Sequence, residues 1–467
     1  MMDITGTYTD QYQLAMGQVY FLSGRKDQTA VFDYFFRKNP FKGGYTVFAG
    51  LHELLKVLEK LRFDAEDLSF LRFQGMHPDF LAYLKGFRFQ GTIHACREGD
   101  LVFPTRPVVR VEAPLIEAQL IETLLLNMLN FQSLIATKAS RMQRVAQGRT
   151  LIDFGLRRAQ GLGGYHASRA AVIGGFAATS NVRAARDFGL APSGTMAHSF
   201  IQSCADELTA FRQFAEGWPD NCVLLVDTYD TLKSGVPNAI TVGKEMARRG
   251  HRLKAIRLDS GDLAYLAQRS RAMLDAAGLH DVKIAASNQL DEYVIKSLLE
   301  QEAPIDLFGV GTNLVTGQPD AALDGVYKLA AVDGQPLIKI SENVEKITLP
   351  HAKQVFRAFN GEGRFLGADA VGIAGEPPIT MMHHPFMPHK SFPLADCPLE
   401  PLLTPVMKQG RIVADSPDLP AIADFCRSRL ALLPAEYQRF ENPHIYKVGI
   451  STRLRDARDR LIAEHKS

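Results

Sequence analysis

The chain has 467 residues, 46% of them hydrophobic, with 53 Lys and Arg against 51 Asp and Glu. That length and apolar fraction support two or three domains with large cores, and the near-cancelled charge leaves no electrostatic footprint for nucleic acid or an acidic membrane surface. Five dispersed cysteines (Cys96, Cys204, Cys222, Cys397, Cys426) without a C-x-x-C pair argue against a disulfide framework and structural zinc; with no secretory signal at the start and no apolar run of membrane-spanning length, a soluble protein of the reducing cytoplasm is expected.

Residues 1–145 read as an α+β domain. "TAVFDYFFRKNPFKGGYTVFAGL" gives two strands around a turn rich in Pro and Gly, "LHELLKVLEKL" and "LIEAQLIETLLLNMLNFQSLIATKASRM" give long helices, and the stretch between them gives short strands joined by turns. Residues 146–340 have a different rhythm. Short apolar runs at 150–155, 175–180, 193–199, 222–228, 253–260, 282–288 and 305–312 alternate with amphipathic or Ala-rich segments. One of these, "DLAYLAQRSRAMLDAAG", begins at an aspartate and stops at a glycine, as helices do. Such alternation implies parallel strands with right-handed crossovers. Seven units suit a closed (β/α) barrel, and an open doubly wound sheet is the alternative. Residues 341–467 form a C-terminal segment: "KQVFRAFNGEGRFLGADAVGI" reads as a hairpin, "EPPITMMHHPFMPHKSFP" as a loop, and the tail as helical pieces around an extended stretch.

Chemistry gathers where the apolar runs end: Arg157 and Arg158, Ser180 and Asn181, His198 and Ser199, Asp227 and Asp230, Asp259 and Asp262, Ser287 and Asn288, then Gly309, Gly311 and Thr312. In an α/β barrel the C-terminal strand ends form one mouth, and active sites are built there. Helix capping alone accounts for about half of these positions, Asp262 and Asp291 among them. It accounts poorly for the two arginines and His198, which are not capping types. "GVGTN" (309–313) suits a phosphate nest, "FGLRRAQG" (154–161) adds two guanidinium forks beside Phe154, whose flat face suits a ring, and Asp259 suits ribose hydroxyls or Mg²⁺. Together they point to a phosphorylated sugar, an anionic second substrate and a ring. His383, His384 and His389 lack a ligand-like spacing with acidic or thiol partners, and His166 reads as structural. There is no P-loop, GxGxxG after a strand, GxSxG or HExxH.

Read in order, "TDQYQLAM", "FDYFFRKNPF", "EGDLVFP", "DFGLRRAQG", "ATSNVRAA", "GTMAHSF", "VDTYDT", "RLDSGDL", "FGVGTNLVTG", "KQVFRAF" and "NPHIYKVGIS" resemble the nicotinate phosphoribosyltransferases over essentially the whole chain. One departure is "LPHAK", where His351 and Ala352 stand at the family's usual Pro-Gly turn. The resemblance implies an irregular seven-stranded α/β barrel, an N-terminal α+β domain completed by C-terminal segments, and homodimers with shared active sites. It implies condensation of nicotinate with phosphoribosyl pyrophosphate to nicotinate mononucleotide and pyrophosphate, a salvage route to NAD, with ATP as co-substrate and Mg²⁺ as cofactor. His198 is the implied phosphohistidine, with Asp259 catalytic and a Mg²⁺ ligand. Tyr12, Phe154, Arg157, Thr195 and Arg257 would bind nicotinate; Arg157, Ser287, Gly309, Gly311 and Thr312 would bind phosphoribosyl pyrophosphate. A nicotinamide-specific or quinolinate transferase, or a catalytically inactive binding barrel, are the rival readings. Arg158 and Asn181 near the expected pocket favour an anionic substrate.

Overall fold

The computed structural model describes residues 4–465. The chain divides into two compact units. The first takes the described residues up to Thr137 together with those from Ala322 onward, and the second is Lys138–Ala321. The boundaries therefore fall at 137/138 and 321/322 rather than at 145/146 and 340/341. The reason for the second shift is hydrogen bonding: Gly325–Val332 pairs antiparallel with Thr29–Phe36, so it belongs to the first unit's sheet.

In the first unit, seven antiparallel strands run in the order Gln335–Pro336, Gly325–Val332, Thr29–Phe36, Val109–Pro114, Thr92–Ala95, Thr404–Lys408, Arg411–Ile412. A second, six-stranded sheet contains the expected hairpin, Lys353–Phe359 against Phe365–Ile373. The Pro- and His-rich stretch is not only loop. Met381–His383 and Ser391–Pro393 pair as an antiparallel ribbon on the edge of that sheet. His383 bonds Thr452 through Nε2 (2.9 Å) and His384 Nδ1 accepts the Phe386 and Met387 N–H groups (3.1 Å each), so both rings are used structurally. His351 has φ of 65°, the left-handed conformation that glycine takes most readily, and the Lys353 ammonium caps the Leu349 and Pro350 carbonyls (2.8 and 3.0 Å).

The first unit also buries a charged lattice. Asp369 accepts from Arg357 Nε (3.0 Å) and the Tyr446 hydroxyl (2.7 Å) and forms an ion pair with Arg106, whose Nε lies 2.7 Å away. Arg357 continues to Asp100 (2.8 Å), which Arg429 also holds (2.8 Å) before reaching Glu400 (2.6 Å). Burial alone would raise the Asp100 pKa; the Arg357 and Arg429 guanidiniums outweigh it and hold the carboxyl below its ordinary range.

The second unit is built on a parallel sheet. Its strands are β1 (Thr150–Asp153), β2 (Ala178–Thr179), β3 (Val223–Leu225), β4 (Ala255–Leu258), β5 (Lys283–Ser287) and β6 (Leu307–Val310), in the order β2-β1-β6-β5-β4-β3 with every neighbour parallel. The apolar runs form strands because both faces are covered: Leu224, Leu225, Ile256, Leu258, Ile284, Ala286, Phe308 and Val310 are fully buried. Each large aliphatic side chain so buried contributes about 1.5–3 kcal/mol. One expected strand is absent as such. The 193–199 stretch forms no strand: only Pro192, just before it, makes a parallel bridge, to Thr179, and His198 already opens the short helix His198–Gln202. Pro192 lacks an N–H for a ladder, and Ser193-Gly194 follows it, so no regular strand propagates. Where the strands end, Asn181, Asp230, Asp262 and Asp291 accept N–H groups of the next helical turn. Capping thus covers four of the polar positions picked out by sequence.

Candidate active site

The carboxyl ends of β3, β4 and β5 and the segment after Pro192 are tied together by side-chain contacts. Alternation along β4 places Ile256 and Leu258 in the core and Arg257 between them, half-buried. Arg257 Nη1 donates to Thr195 Oγ1, whose hydroxyl in turn donates to the Met196 carbonyl at 3.2 Å. Arg257 Nε is buried without a hydrogen-bond partner among the described residues. Burial pushes the Arg257 pKa down, Asp259 and Asp227 oppose the fall, and Arg157 adds to it. A guanidinium with a spare donor in such a place is poised for a carboxylate.

His198 is fixed from one side. Its Nδ1 lies 3.0 Å from Thr228 Oγ1, and its Nε2 lies 3.8 Å from Asp259 Oδ2. A proton on Nδ1 donated to Thr228 leaves the Nε2 lone pair free on the carboxylate side. The side chain is 40% exposed, open to a reactant. Asp259 is held in turn: its other oxygen accepts the Ser287 hydroxyl, and its backbone N–H donates to Asp227 Oδ2 at 2.8 Å. Ser260 Oγ donates to the same Asp227 oxygen at 2.6 Å. His198 and Asp259 thus form an imidazole–carboxylate pair whose carboxylate is anchored by further hydrogen bonds.

Phe154 follows β1, and its N–H donates to the Val310 carbonyl at 2.8 Å. Its ring lies on Gly309; a Cβ there would sit 2.3 Å from Phe154 Cε2, so only glycine admits the ring. Arg157 and Arg158 stand exposed on the turn Leu156–Arg158, and Arg157 is close enough to Arg257 to perturb its titration. Gly311 and Thr312 lie half-buried where β6 gives way to the helix Thr312–Val315.

The structure therefore brings Thr195 against Arg257, His198 and Ser287 against Asp259, and Phe154 against Gly309, with the Asp259 charge felt at Arg257. Tyr12 belongs to the other unit, 48% exposed in the first turn of Gln11–Leu22. Asn181 is not free to read a substrate. It is 2% exposed and spends its side chain on Ala184 N–H (3.2 Å) and on Ser168 and Gly164. Sequence reasoning passed over Asp153, Thr228 and the anchoring part of Asp227. The last two stand in the quoted "VDTYDT", and nothing in their spacing says which oxygen faces the histidine. Among the described residues no three His, Cys, Asp or Glu side chains converge as a metal cage. The Asp259 carboxylate, with Asp227 bonded to its backbone N–H, fits the Mg²⁺ habit of taking one or two carboxylates and filling its shell with substrate phosphates.

Comparison with known proteins places this geometry. Three family models match: the nicotinate phosphoribosyltransferase N-terminal domain over residues 7–130, the nicotinate phosphoribosyltransferase family over 150–373, and the C-terminal domain over 352–458. The chain belongs to the nicotinate phosphoribosyltransferase family. It is 43% identical to the nicotinate phosphoribosyltransferase of Bacillus subtilis, covering 96% of this chain and 93% of that protein, and 37% identical to that of Dictyostelium discoideum, covering 97% and 87%. Human nicotinic acid phosphoribosyltransferase, a crystal structure, superposes with a TM-score of 0.87 at 31% identity over 97% of this chain and 99% of that one. As a nicotinate phosphoribosyltransferase the chain is an enzyme, a transferase of NAD biosynthesis. No helix among the described residues is long and apolar enough to cross a membrane.

Proposed function

We propose that the cluster Thr195, His198, Arg257, Asp259 and Ser287 is where this nicotinate phosphoribosyltransferase joins nicotinate to phosphoribosyl pyrophosphate, giving nicotinate mononucleotide and pyrophosphate, and where ATP hydrolysis is coupled through phosphorylation of His198. The observation that carries the reading is the contact of one segment, 195–198, with the strand-end residues Thr228, Arg257 and Asp259, the last also held by Ser287. Arg257 and Thr195 hold the nicotinate carboxylate, and Phe154 covers one face of the pyridine ring. That orientation aims the ring nitrogen at C1 of the sugar, and such positioning removes much of the entropic part of the barrier. As the C1–O bond to pyrophosphate breaks, positive charge grows on the ribose and negative charge on the leaving group. Arg157 offers its fork to that charge, and the Ser287 hydroxyl and the backbone at Gly309, Gly311 and Thr312 line the phosphate side. Asp259 would hold Mg²⁺, which would supply further charge neutralisation there. Nε2 of His198 takes the γ-phosphoryl group of ATP while ADP leaves.

Nicotinate is the expected substrate because a desolvated guanidinium gains a charge-assisted bond from a carboxylate and only a weaker one from an amide carbonyl. The kcat/KM of the purified protein for nicotinate should exceed that for nicotinamide by at least about 100-fold; equal values, or a preference for nicotinamide, sink the specificity assignment.

We also infer that the 192–198 segment is the seventh member of an irregular barrel. Pro192 bridges β2 on one side, while Thr195 and His198 reach Arg257 and Thr228 past the ends of β4 and β3 on the other. Its five unpaired cysteines fit the reducing cytoplasm, which cell fractionation would check. Finally, Tyr12 is assigned to the ring's second face in a homodimer with shared sites, its exposure supporting a role outside its own core. A Tyr12→Ala chain mixed with a His198→Asn chain should then recover ATP-stimulated activity in mixed dimers. Absence of recovery, once subunit exchange is demonstrated, counts against sharing.

A further inference from the structure

Directly before Phe154 lies a carboxylate that the reaction as derived above does not use. Asp153 closes β1 and is 1% exposed. One of its oxygens accepts the Gly155 N–H at 2.7 Å; the other accepts the hydroxyls of Ser168 (2.8 Å) and Thr179 (2.7 Å). Those donors come from different elements. Gly155 opens the turn that carries Arg157, Ser168 lies in the helix Gly161–Ile173, and Thr179 ends β2. The network extends further: Thr179 Oγ1 accepts the Asn181 N–H at 3.0 Å, and Asn181 Nδ2 donates to Ser168 Oγ at 3.3 Å. Ser168, Thr179 and Asn181 are all buried.

The geometry points to Asp153 as a positioning residue for the transfer: it locks the turn after β1 so that the Phe154 ring stays on Gly309 and faces the pyridine. The inference rests on the reading of Phe154 as a ring-facing residue. Three features support it. The bond from the Gly155 N–H to Asp153 spans Phe154 and fixes the backbone on its far side, while the Phe154 N–H is tied to Val310. The turn has no slack, because Gly155 packs so closely that a Cβ on it would meet Val315 Cγ1 at 2.1 Å. And a buried carboxylate is costly to ionise. Burial holds the Asp153 pKa above its ordinary value, and the Thr179, Gly155 and Ser168 bonds offset only part of that rise, so each donor lost makes the charged acceptor costlier still. A carboxylate is suited to the task as a strong acceptor that gathers one N–H and two hydroxyls at once.

The test is a set of coupled substitutions read in kcat/KM for nicotinate: Thr179→Val and Asp153→Ala, each alone and each combined with Phe154→Ala. Alone, Asp153→Ala should lower kcat/KM by roughly 10- to 100-fold, mainly through KM, and Thr179→Val by less. Combined with Phe154→Ala, neither should cost more than about twofold beyond Phe154→Ala itself, since the ring they hold is already gone. Fold losses that multiply in the double variants, or single variants with the parent's kcat/KM, overturn the proposal. Should Asp153→Ala fail to fold, Thr179→Val, which keeps the side-chain shape, and Ser168→Ala carry the same comparison. Failure of the reading on which it rests is separable: Phe154→Ala alone would then leave kcat/KM for nicotinate unchanged.

Discussion

With His198→Asn, the expected result is an enzyme that still joins nicotinate to the phosphoribosyl group but no longer responds to ATP. The imidazole is 40% exposed and lies in the first turn of a short helix, so its loss opens no core. Asparagine can still donate a hydrogen bond to Thr228 through its amide, which preserves the local packing. What disappears is the Nε2 nucleophile beside Asp259. A phosphorylated His198 would add charge to the cluster, and each charge-assisted bond it creates is worth about 1.5–3 kcal/mol, or about 10- to 100-fold in substrate affinity. The variant should therefore lose a factor of that size in kcat/KM measured with ATP present, and match the parent measured without ATP. Positioning and leaving-group stabilisation do not need the phosphoryl group, so slow condensation persists. A variant that ATP stimulates as strongly as it does the parent removes His198 from the mechanism.

The second large effect concerns stability. Asp369 is fully buried and is the carboxylate on which Arg106, Arg357 and Tyr446 converge. Asp369→Ala leaves two buried guanidiniums short of a counter-charge, and breaking a buried pair in this way costs about 3–5 kcal/mol. Urea unfolding of the first unit, followed by near-ultraviolet circular dichroism of its many buried aromatics, should show the midpoint falling accordingly. A change below about 1 kcal/mol would mean the lattice is not a keystone of that unit. The lattice also sets an acid limit. Asp100 titrates below its unfolded value, so its contribution is complete above about pH 4 and is lost as pH falls through the lower folded value.

Much of this was legible in the sequence where periodicity and chemistry coincide. The six strands of the second unit were marked by apolar runs buried on both faces, and Asp259 and Ser287 by the polar residues that end those runs, whereas Arg257, inside its run, was marked only by the family resemblance. The 193–199 run misled because its apolar content resembles a strand while Pro192 and Gly194 prevent a ladder. The stretch 322–340 was misplaced because strand pairing across some 300 residues of chain, Gly325–Val332 with Thr29–Phe36, leaves no local signal. Asn181 looked like a substrate reader and proved to be a cap, since composition does not reveal which way a side chain turns. Asp153 and Thr228 were missed for the same reason: an aspartate at a strand end looks alike whether it holds a backbone turn or a metal. The arginines and aspartates of the first unit's lattice look like surface charges until the sheets that bury them are assembled.

The account is tested most directly by the fate of γ-labelled ATP. Incubated with the purified protein and Mg²⁺, it should leave an acid-labile, base-stable label on the peptide containing His198, discharged faster when nicotinate and phosphoribosyl pyrophosphate are added together, and absent from His198→Asn. Label that is missing in the parent, that survives in His198→Asn, or that maps to another residue would contradict it.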